Sequence, residues 1–232
     1  YGRLEASIEG TDIQYDDKGK GMNIRILVSE GPEYTVESLH VADNVVFDDD
    51  EIVKLLKVQT GSVHSKAQVR DDAQLVQRGY EDSGYINAIV SPQVTLDREK
   101  KTTHVVHRIN EGDLKYIREI KITGNSVTRD EVIRREILSM PGERFDGGLI
   151  RASQNRLDGT DYFDSTRFTI ENVEGSDQFA NLLVDVDEGK TGYFNFGAGY
   201  STEDRFGGYA ELRLDNFDIA NWPRFSGGGQ QF

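Results

Sequence analysis

The chain has no cysteine, only four prolines and a single tryptophan among its 232 residues. Without cysteine it has no disulfide, no thiolate metal site and no cysteine nucleophile. Positive charge is also scarce, because 27 Lys and Arg against 41 Asp and Glu give a net charge of −14. This balance argues against nucleic acid as a main partner, since nucleic-acid binding relies on a basic surface. No apolar run approaches the roughly 20 residues that a membrane-spanning helix needs.

A strand that ends in Glu-Gly occurs three times along the chain. The pairs are Glu30-Gly31, Glu111-Gly112 and Glu188-Gly189, which are 81 and 77 residues apart. Periods near 80 residues are too long for a solenoid repeat and indicate a row of small domains. The spacing divides the chain into residues 1–31, 32–112, 113–190 and 191–232. The first block contains only a final pair of strands, so we expect the chain to begin inside a module.

The two complete periods repeat one order of predicted elements, β-α-α-β-β. Two capping boxes, Asp48-x-x-Glu51 and Thr128-x-x-Glu131, predict where the first helix of each period begins. The second helix is predicted to open near Ser65 in one period and near Asp146 in the other. The helical repeat places Val69, Ala73, Val76 and Tyr80 on one apolar stripe, and Leu149, Ile150, Ser153 and Leu157 on the other.

Two strands close each period, and the first of the two is predicted to lie at an edge of its sheet. The candidate edges are residues 88–96 and 165–173. Pro92 favours this placement, because a proline inside a sheet is confined to edges and bulges. An edge strand can pair with an incoming extended chain through its free backbone groups. The alternative is that Pro92 and the polar residues around it only block such pairing.

From residue 191 the sequence changes to strict alternation rich in glycine and aromatics. Phe194, Phe196, Ala198 and Tyr200 share one face, and Phe206, Gly208, Ala210 and Leu212 share the matching face of a second strand. Strands of this length with aromatic ends are typical of an outer-membrane barrel. A strand of a soluble sandwich would show the same alternation. Because two strands cannot close a barrel, we expect more strands after Phe232.

Acidic and histidine clusters give little support for a metal site or a catalytic site. The run of acids at residues 48–51 lacks the spacing and the glycine of an EF-hand, and acids suit a helix start. His107 stands where the other periods have Ile26 and Val184, which predicts a core histidine with satisfied hydrogen bonds. His104 falls on the opposite face of the same strand. We predict no cofactor, no metal and no catalytic residues, and interpret the chain as a non-enzyme.

Motifs along the chain resemble the BamA family of outer-membrane assembly factors. Residues 191–203 are similar to the junction between the last polypeptide-transport-associated (POTRA) domain of that family and its first barrel strand. Gly124-Asn125, residues 132–136, Met140-x-Gly142 and residues 162–164 resemble the last POTRA domain itself. The resemblance implies an α+β fold of tandem β-α-α-β-β POTRA domains, followed by the first antiparallel strands of a transmembrane β-barrel.

The same resemblance implies a function, a location and partners. Unfolded outer-membrane proteins would bind to the POTRA domains by β-augmentation in the periplasm and pass to the barrel for folding and insertion. Accessory lipoproteins and the lipid bilayer are the other implied partners. The assigned residues are, for the client-binding edges, Ala88, Ile89, Val90, Ser91, Gln93, Val94, Thr95, Thr166, Arg167, Phe168, Thr169 and Ile170; for partner docking, Arg134 and Arg135; and for the barrel seam strand, Phe194, Asn195, Phe196, Gly197, Gly199 and Tyr200.

Three alternatives to this interpretation remain open. A secretion transporter of the same superfamily would export one dedicated client. A periplasmic adhesion module would bind no client at all. Arg134 and Arg135 would, in the simplest case, be solvated charges on a helix with no partner.

Overall fold

The computed structural model describes residues 2–15, 21–190, 192–201, 205–222 and 225–230. The chain divides into two compact units, the first formed by Tyr1–Tyr80 with Asn87–Gly112 and the second by Glu81–Ile86 with Asp113–Phe232. Both units mix helices and strands, which confirms the α+β class. Within the described ranges, no helix combines the length and the apolar character that crossing a membrane demands.

The first unit contains a two-stranded hairpin and a three-stranded sheet. In chain order its elements are β1 (Ser7–Tyr15), β2 (Met22–Ser29), β3 (Thr35–Ala42), α1 (Asp49–Leu55), α2 (Lys66–Asp82), β4 (Ile89–Asp97) and β5 (Thr102–Asn110). The sheet has the order β3-β5-β4, and β5 is parallel to β3 and antiparallel to β4. A parallel pair needs a crossover connection, which the segment with α1 and α2 supplies.

The second unit repeats this arrangement and adds a hairpin. Its elements are β6 (Tyr116–Thr123), α3 (Asp130–Arg134), α4 (Gly147–Asp158), β7 (Phe163–Asn172), β8 (Phe179–Glu188), β9 (Gly192–Ser201) and β10 (Arg205–Leu214). The sheet order is β6-β8-β7, and β9 pairs with β10. Even an irregularity recurs, because the register shift between Val36 and Ser38 reappears between Ile117 and Glu119. The predicted β-α-α-β-β order is thus confirmed twice.

The second helix of each unit buries most of its predicted stripe. In α2 all four predicted stripe residues are buried. In α4, Ser153 and Leu157 are buried, but Leu149 is 39% exposed. α4 begins at Gly147, as predicted, but Leu149 lies in its first turn and does not belong to the buried stripe. There its N–H donates to the carboxylate of Asp146 at 3.0 Å.

The capping boxes predicted for the first helices are wrong. Asp48 is the N-cap of α1 but makes no side-chain cap hydrogen bond, and α3 has Arg129 rather than Thr128 at its N-cap. By contrast, the side chains of Ser65 and Asp146 each accept a backbone N–H at the start of α2 and α4. Local capping therefore explains the second helices but not the first.

The repeated glutamates hold the loop that precedes the first helix of each unit. Glu111 Oε1 accepts the N–H groups of Val45 at 2.7 Å and Val46 at 2.8 Å. Glu188 accepts the N–H groups of residues 126–128 in the same way. Burial opposes ionisation of both carboxyl groups, but these hydrogen bonds outweigh it and lower the pKa of each below its ordinary value. The Glu-Gly repeat thus marks a contact that closes each unit.

Candidate functional site

The first closing strand of each unit lies at a sheet edge. Within the described residues, β5 and β8 pair with strands on both sides, whereas β4 and β7 pair on one side only. Each edge strand therefore presents a row of backbone N–H and C=O groups away from its sheet. Residues 89–95 fall in β4, and residues 166–170 fall in β7. Ala88 does not belong to the edge, because it precedes β4 and is only 2% exposed.

The side chains of the two edge strands divide between the core and the outer face. Phe168 and Ile170 of β7 pack against the core of the second unit, while Arg167 and Thr169 are exposed. In β4, Val90 is 8% exposed, and the alternate residues Ser91, Gln93 and Thr95 are exposed. The outer faces are therefore open and mainly polar, although Ile89 at the start of β4 is an apolar side chain with 57% exposure. A ligand on such an edge would be recognised mainly through the main chain.

The two edges differ at one position. Pro92 of β4 lies opposite His107, whereas the corresponding place in the second unit has Phe168 opposite Val184. Proline has no N–H, so β4 lacks one backbone donor that β7 possesses. The edge of β7 is the more complete template for an added strand.

The two arginines predicted for partner docking have different surroundings. Arg134 is about half exposed and pairs with Asp130 on the same helix at 3.4 Å. Arg135 donates from Nη2 to the carbonyl oxygen of Gly229 at 3.1 Å and from Nε to Glu136 at 3.3 Å. Arg135 is therefore bonded within the chain, and the two guanidinium groups do not act as one surface pair.

The β9–β10 hairpin carries an exposed apolar face. Phe194 lies opposite Leu212, and Phe196 lies opposite Ala210. The exposed fractions of Phe194, Phe196 and Leu212 are 65%, 79% and 59%. These side chains form a contiguous exposed apolar strip, and burying such a strip is favourable.

The other face of the hairpin is polar and contains a glycine that makes room for an aromatic ring. Asn195 lies opposite Glu211, and Gly197 lies opposite Tyr209. A Cβ atom at Gly197 would be 2.5 Å from the Tyr209 ring, so the ring occupies the space over the glycine. Around Gly199 there is open space. Tyr200 has its backbone in β9, while its side chain, like residues 191 and 202–204 of the junction motif, falls outside the described residues.

The histidines on β5 face opposite sides, as predicted. His104 is partly exposed and its Nδ1 lies 2.8 Å from Ser38 Oγ. His107 is fully buried, but among the described residues neither of its ring nitrogens has a hydrogen-bond partner, so the prediction of satisfied bonds is wrong. Burial lowers its pKa, although the carboxylate of Asp72 opposes this shift. Among the residues that the structure describes, no group of three or more His, Asp or Glu side chains could hold a metal ion.

Comparison with known families and proteins gives consistent matches. The POTRA family model, described as surface antigen variable number repeat, matches residues 34–112 and 115–189. The chain is 30% identical over 200 residues to the outer membrane protein assembly factor BamA of Neisseria meningitidis serogroup B, covering 86% of this chain and 25% of that protein. It is 27% identical over 211 residues to BamA of Nitratidesulfovibrio vulgaris, covering 89% of this chain and 26% of that protein. The chain spans about a quarter of the length of these relatives.

Two solved structures share the fold. The crystal structure of Haemophilus influenzae BamA POTRA3-5 aligns with a TM-score of 0.72 at 24% identity, covering 81% of this chain and 74% of that one. BamA from Haemophilus ducreyi lacking POTRA domains 1-3 aligns with a TM-score of 0.70 at 23% identity, covering 79% of this chain and 35% of that one. At these identities the likeness concerns the fold alone.

Proposed function

The chain belongs to the POTRA family, and from this membership we propose that it is the periplasmic POTRA region of an outer-membrane β-barrel assembly factor. It binds unfolded outer-membrane proteins by β-augmentation and passes them to a barrel for folding and insertion. The observation that carries the proposal is the unpaired outer side of β4 and β7 within the described residues. The names of the curated relatives favour assembly over the secretion and adhesion alternatives.

Strand addition suits clients of this kind. An unfolded outer-membrane protein is a series of extended, alternating segments that must be kept from aggregating. Backbone hydrogen bonds to an edge strand hold such a segment with little dependence on its sequence. The exposed side chains at the middle of the two edges, among them Gln93 and Thr169, are polar.

In the proposal the chain is organised as part of a first POTRA domain at residues 1–31, complete domains at 32–112 and 113–190, and barrel strands from 191. The apolar face of the β9–β10 hairpin contacts lipid and its polar face lines the barrel. Residues 194–200 form the seam strand that receives client strands. The glycines in this strand leave it with few side-chain contacts, which favours opening.

Accessory lipoproteins are the second class of proposed partner, with docking on the helix that carries Arg134 and Arg135. Arg134 is the better candidate of the two, since its pairing with Asp130 is an exposed ion pair of small net energy. The POTRA domains function in the periplasm and the hairpin in the outer membrane.

Photo-crosslinking tests the proposed edges. A photoreactive residue is placed at Gln93 in β4 or at Thr169 in β7, and matched controls carry it at Val106 or Leu183, their direct neighbours on the central strands. The probe is an unfolded outer-membrane protein diluted from urea. We expect capture from the two edge positions and little from the two central positions. Equal yields from edge and centre, or no capture at any of the four, would contradict the proposal.

A further inference from the structure

Residues 215–222 and 225–230, which follow β10 and are here named the clasp, fold back onto α3. Three of their polar side chains are almost fully buried, since Asp215 is 4% exposed, Asn216 1% and Asp218 5%. Loop residues of these types normally face water, and burying them costs free energy unless they find partners. Asp218 pairs with the guanidinium of Arg129 at the N-cap of α3. The clasp therefore has a specific contact with the preceding domain.

Asn216 is at the centre of this contact. Its Nδ2 donates to Thr128 Oγ1 at 2.8 Å, and its Oδ1 accepts from the Gly229 N–H at 2.8 Å. Thr128 is itself 3% exposed, and its N–H is held by Glu188 at 2.6 Å. One buried amide thus joins both ends of the clasp to the loop before α3.

Backbone groups of the clasp make further hydrogen bonds to the same domain. The N–H of Arg129 donates to the carbonyl oxygen of Gly227 at 3.0 Å. The carbonyl oxygen of Gly229 accepts from the Tyr162 hydroxyl at 2.9 Å and from Arg135 Nη2 at 3.1 Å. These bonds come from α3 and from the segment that leads into β7, so the clasp spans two parts of the domain.

The glycines of the clasp allow its close approach. From sequence alone, residues 227–229 are predicted to form a turn. In the structure, a Cβ atom on Gly227 would lie 2.2 Å from the carbonyl oxygen of Val127, and one on Gly229 would lie 2.7 Å from Val132 Cγ1. Both glycines also have positive φ, +102° and +68°. Glycine is therefore required at these positions by space as well as by backbone conformation.

The hairpin is connected to the same domain at its other end too. β8 ends at Glu188 and β9 begins at Gly192, so a short linker joins sheet and hairpin. A single short linker can act as a hinge that absorbs changes in backbone angles. A second attachment after β10 removes that freedom of rotation.

We propose that the clasp locks the base of the β9–β10 hairpin onto the last POTRA domain, so that domain and hairpin reorient as one body. Asn216 and Thr128 are the positioning residues of this lock. The proposal depends only on contacts inside the second unit, so it holds whether or not the sheet edges bind a client. In this arrangement Arg135 binds the clasp through the carbonyl oxygen of Gly229.

Spin labelling of the full chain tests the lock. Because the chain has no cysteine, two introduced cysteines can be labelled selectively, one replacing Glu174 between β7 and β8 and one replacing Glu211 on β10. Both positions are exposed. In detergent micelles we expect pulsed electron–electron resonance to give one narrow distance distribution. Asn216→Ala is expected to broaden this distribution, because it leaves the hydroxyl of Thr128 and the N–H of Gly229 without their buried partner.

Two further variants make the outcome decisive. Thr128→Val removes the hydrogen bond between Asn216 and Thr128 from the other side, so we expect it to broaden the distance distribution as Asn216→Ala does. The double variant is expected to show no further broadening. Asn172→Ala, at an exposed position at the end of β7, is expected to change nothing. A distribution in Asn216→Ala as narrow as in the unmodified chain would overturn the proposal.

Amide exchange gives a second readout of the lock. In Asn216→Ala the N–H of Arg129, which bonds to Gly227, is expected to exchange about 10- to 100-fold faster, while the amides of β8 keep their protection. Loss of protection in β8 as well would also overturn the proposal, since the clasp would then support folding of the domain rather than orientation of the hairpin.

Discussion

At the scale of single residues, the contacts of Glu111 and Glu188 explain why Glu-Gly recurs along the chain. The repeated Glu-Gly pairs are visible in the sequence, but the loop N–H groups that bind each carboxylate lie 60 to 66 residues earlier in the chain. A partner at that separation is fixed only by the parallel pairing of the first and last strands of a unit. The repeat could therefore be predicted from the sequence, and the contact could not.

Replacing Glu188 by Gln is expected to destabilise the second unit by about 1–3 kcal/mol. Both carboxylate oxygens accept N–H groups of residues 126–128, and an amide offers one oxygen and turns a donor toward those donors. Urea unfolding followed by circular dichroism measures the loss. Because the folded-state pKa is lowered, this stability is complete above the ordinary pKa of Glu and is lost as pH falls through the lowered value.

The control for this substitution is Glu174→Gln, at an exposed position in the turn before β8. It removes the same charge and is expected to change the unfolding free energy by less than about 0.5 kcal/mol. Equal losses in the two variants would mean that net charge, and not the bonds to the loop, sets the effect.

Gly124 gives a second prediction at this scale. A Cβ atom there would lie 1.9 Å from the carbonyl oxygen of Val186, whereas one at Gly142 would meet nothing within 4 Å. Both glycines have a φ of +90°. Gly142→Ala is therefore expected to cost about 1–2 kcal/mol of backbone strain, and Gly124→Ala considerably more. Urea unfolding compares them, and similar losses would show that the close approach to Val186 relaxes cheaply.

At the scale of elements, the second helices were predictable with their caps, whereas the first helices begin at or within one residue of the predicted position but lack the predicted side-chain cap. α2 and α4 have a local cap, at Ser65 and Asp146, and bury a stripe that the helical period reveals. α1 has 7 residues and α3 has 5, so neither is long enough to show a clear period. The loop before each of them is held by the distant glutamate. Local sequence signals cannot report such a tertiary constraint.

The two edge strands are expected to capture clients unequally. β4 lacks a donor at Pro92, whereas β7 has Phe168 at that place, so crosslinking yield from Thr169 should exceed the yield from Gln93. Pro92→Thr supplies the missing N–H and is expected to raise the yield from Gln93. An unchanged yield would mean that β4 does not bind clients through its backbone at this position.

At the scale of the whole molecule, the two units differ in the polarity of their cores. His64 and His107 of the first unit are 1% and 0% exposed. At the corresponding places, 81 and 77 residues later, the second unit has Phe145 and Val184, both 0% exposed. His64 binds Thr103 through Nδ1, and the charged groups that act on the pair are Lys66 and Asp72. The first unit therefore contains titratable groups where the second has only apolar ones.

Mild acid is expected to weaken the first unit before the second. Burial lowers the pKa of His64 and His107, so below about pH 6.5 the unfolded chain binds more protons than the folded one and stability falls with pH. Amide exchange from pH 7.5 to 5 measures each unit separately. His107→Val, which introduces the residue used by the second unit, is expected to reduce the acid sensitivity.

The matched control for this prediction is His104→Gln, on the partly exposed face of the same strand. It is expected to leave the acid response of the first unit unchanged. Parallel loss of protection in both units of the unmodified chain would contradict a role for the buried histidines.

The internal repeat made the architecture of the domains predictable, because the order of elements predicted for one period could be checked against the other period. Contacts that occur once in the chain were not predictable in this way. The burial of Asn216 against Thr128 joins residues 88 positions apart, and no such contact recurs among the described residues of the first unit. Its sequence context shows only a segment of mixed polar and aromatic residues before three glycines.

The carboxylate contact that closes each unit also bears on how such arrays change over evolutionary time. Glu111 and the loop at residues 45–46 lie in one period, and Glu188 and its loop lie in the next. A gene segment that encodes one period therefore carries both the acid and its target. Unequal recombination at period boundaries would add or delete whole units, and each glutamate would keep the loop N–H groups that it binds. Arrays built in this way can differ in copy number while every copy stays intact.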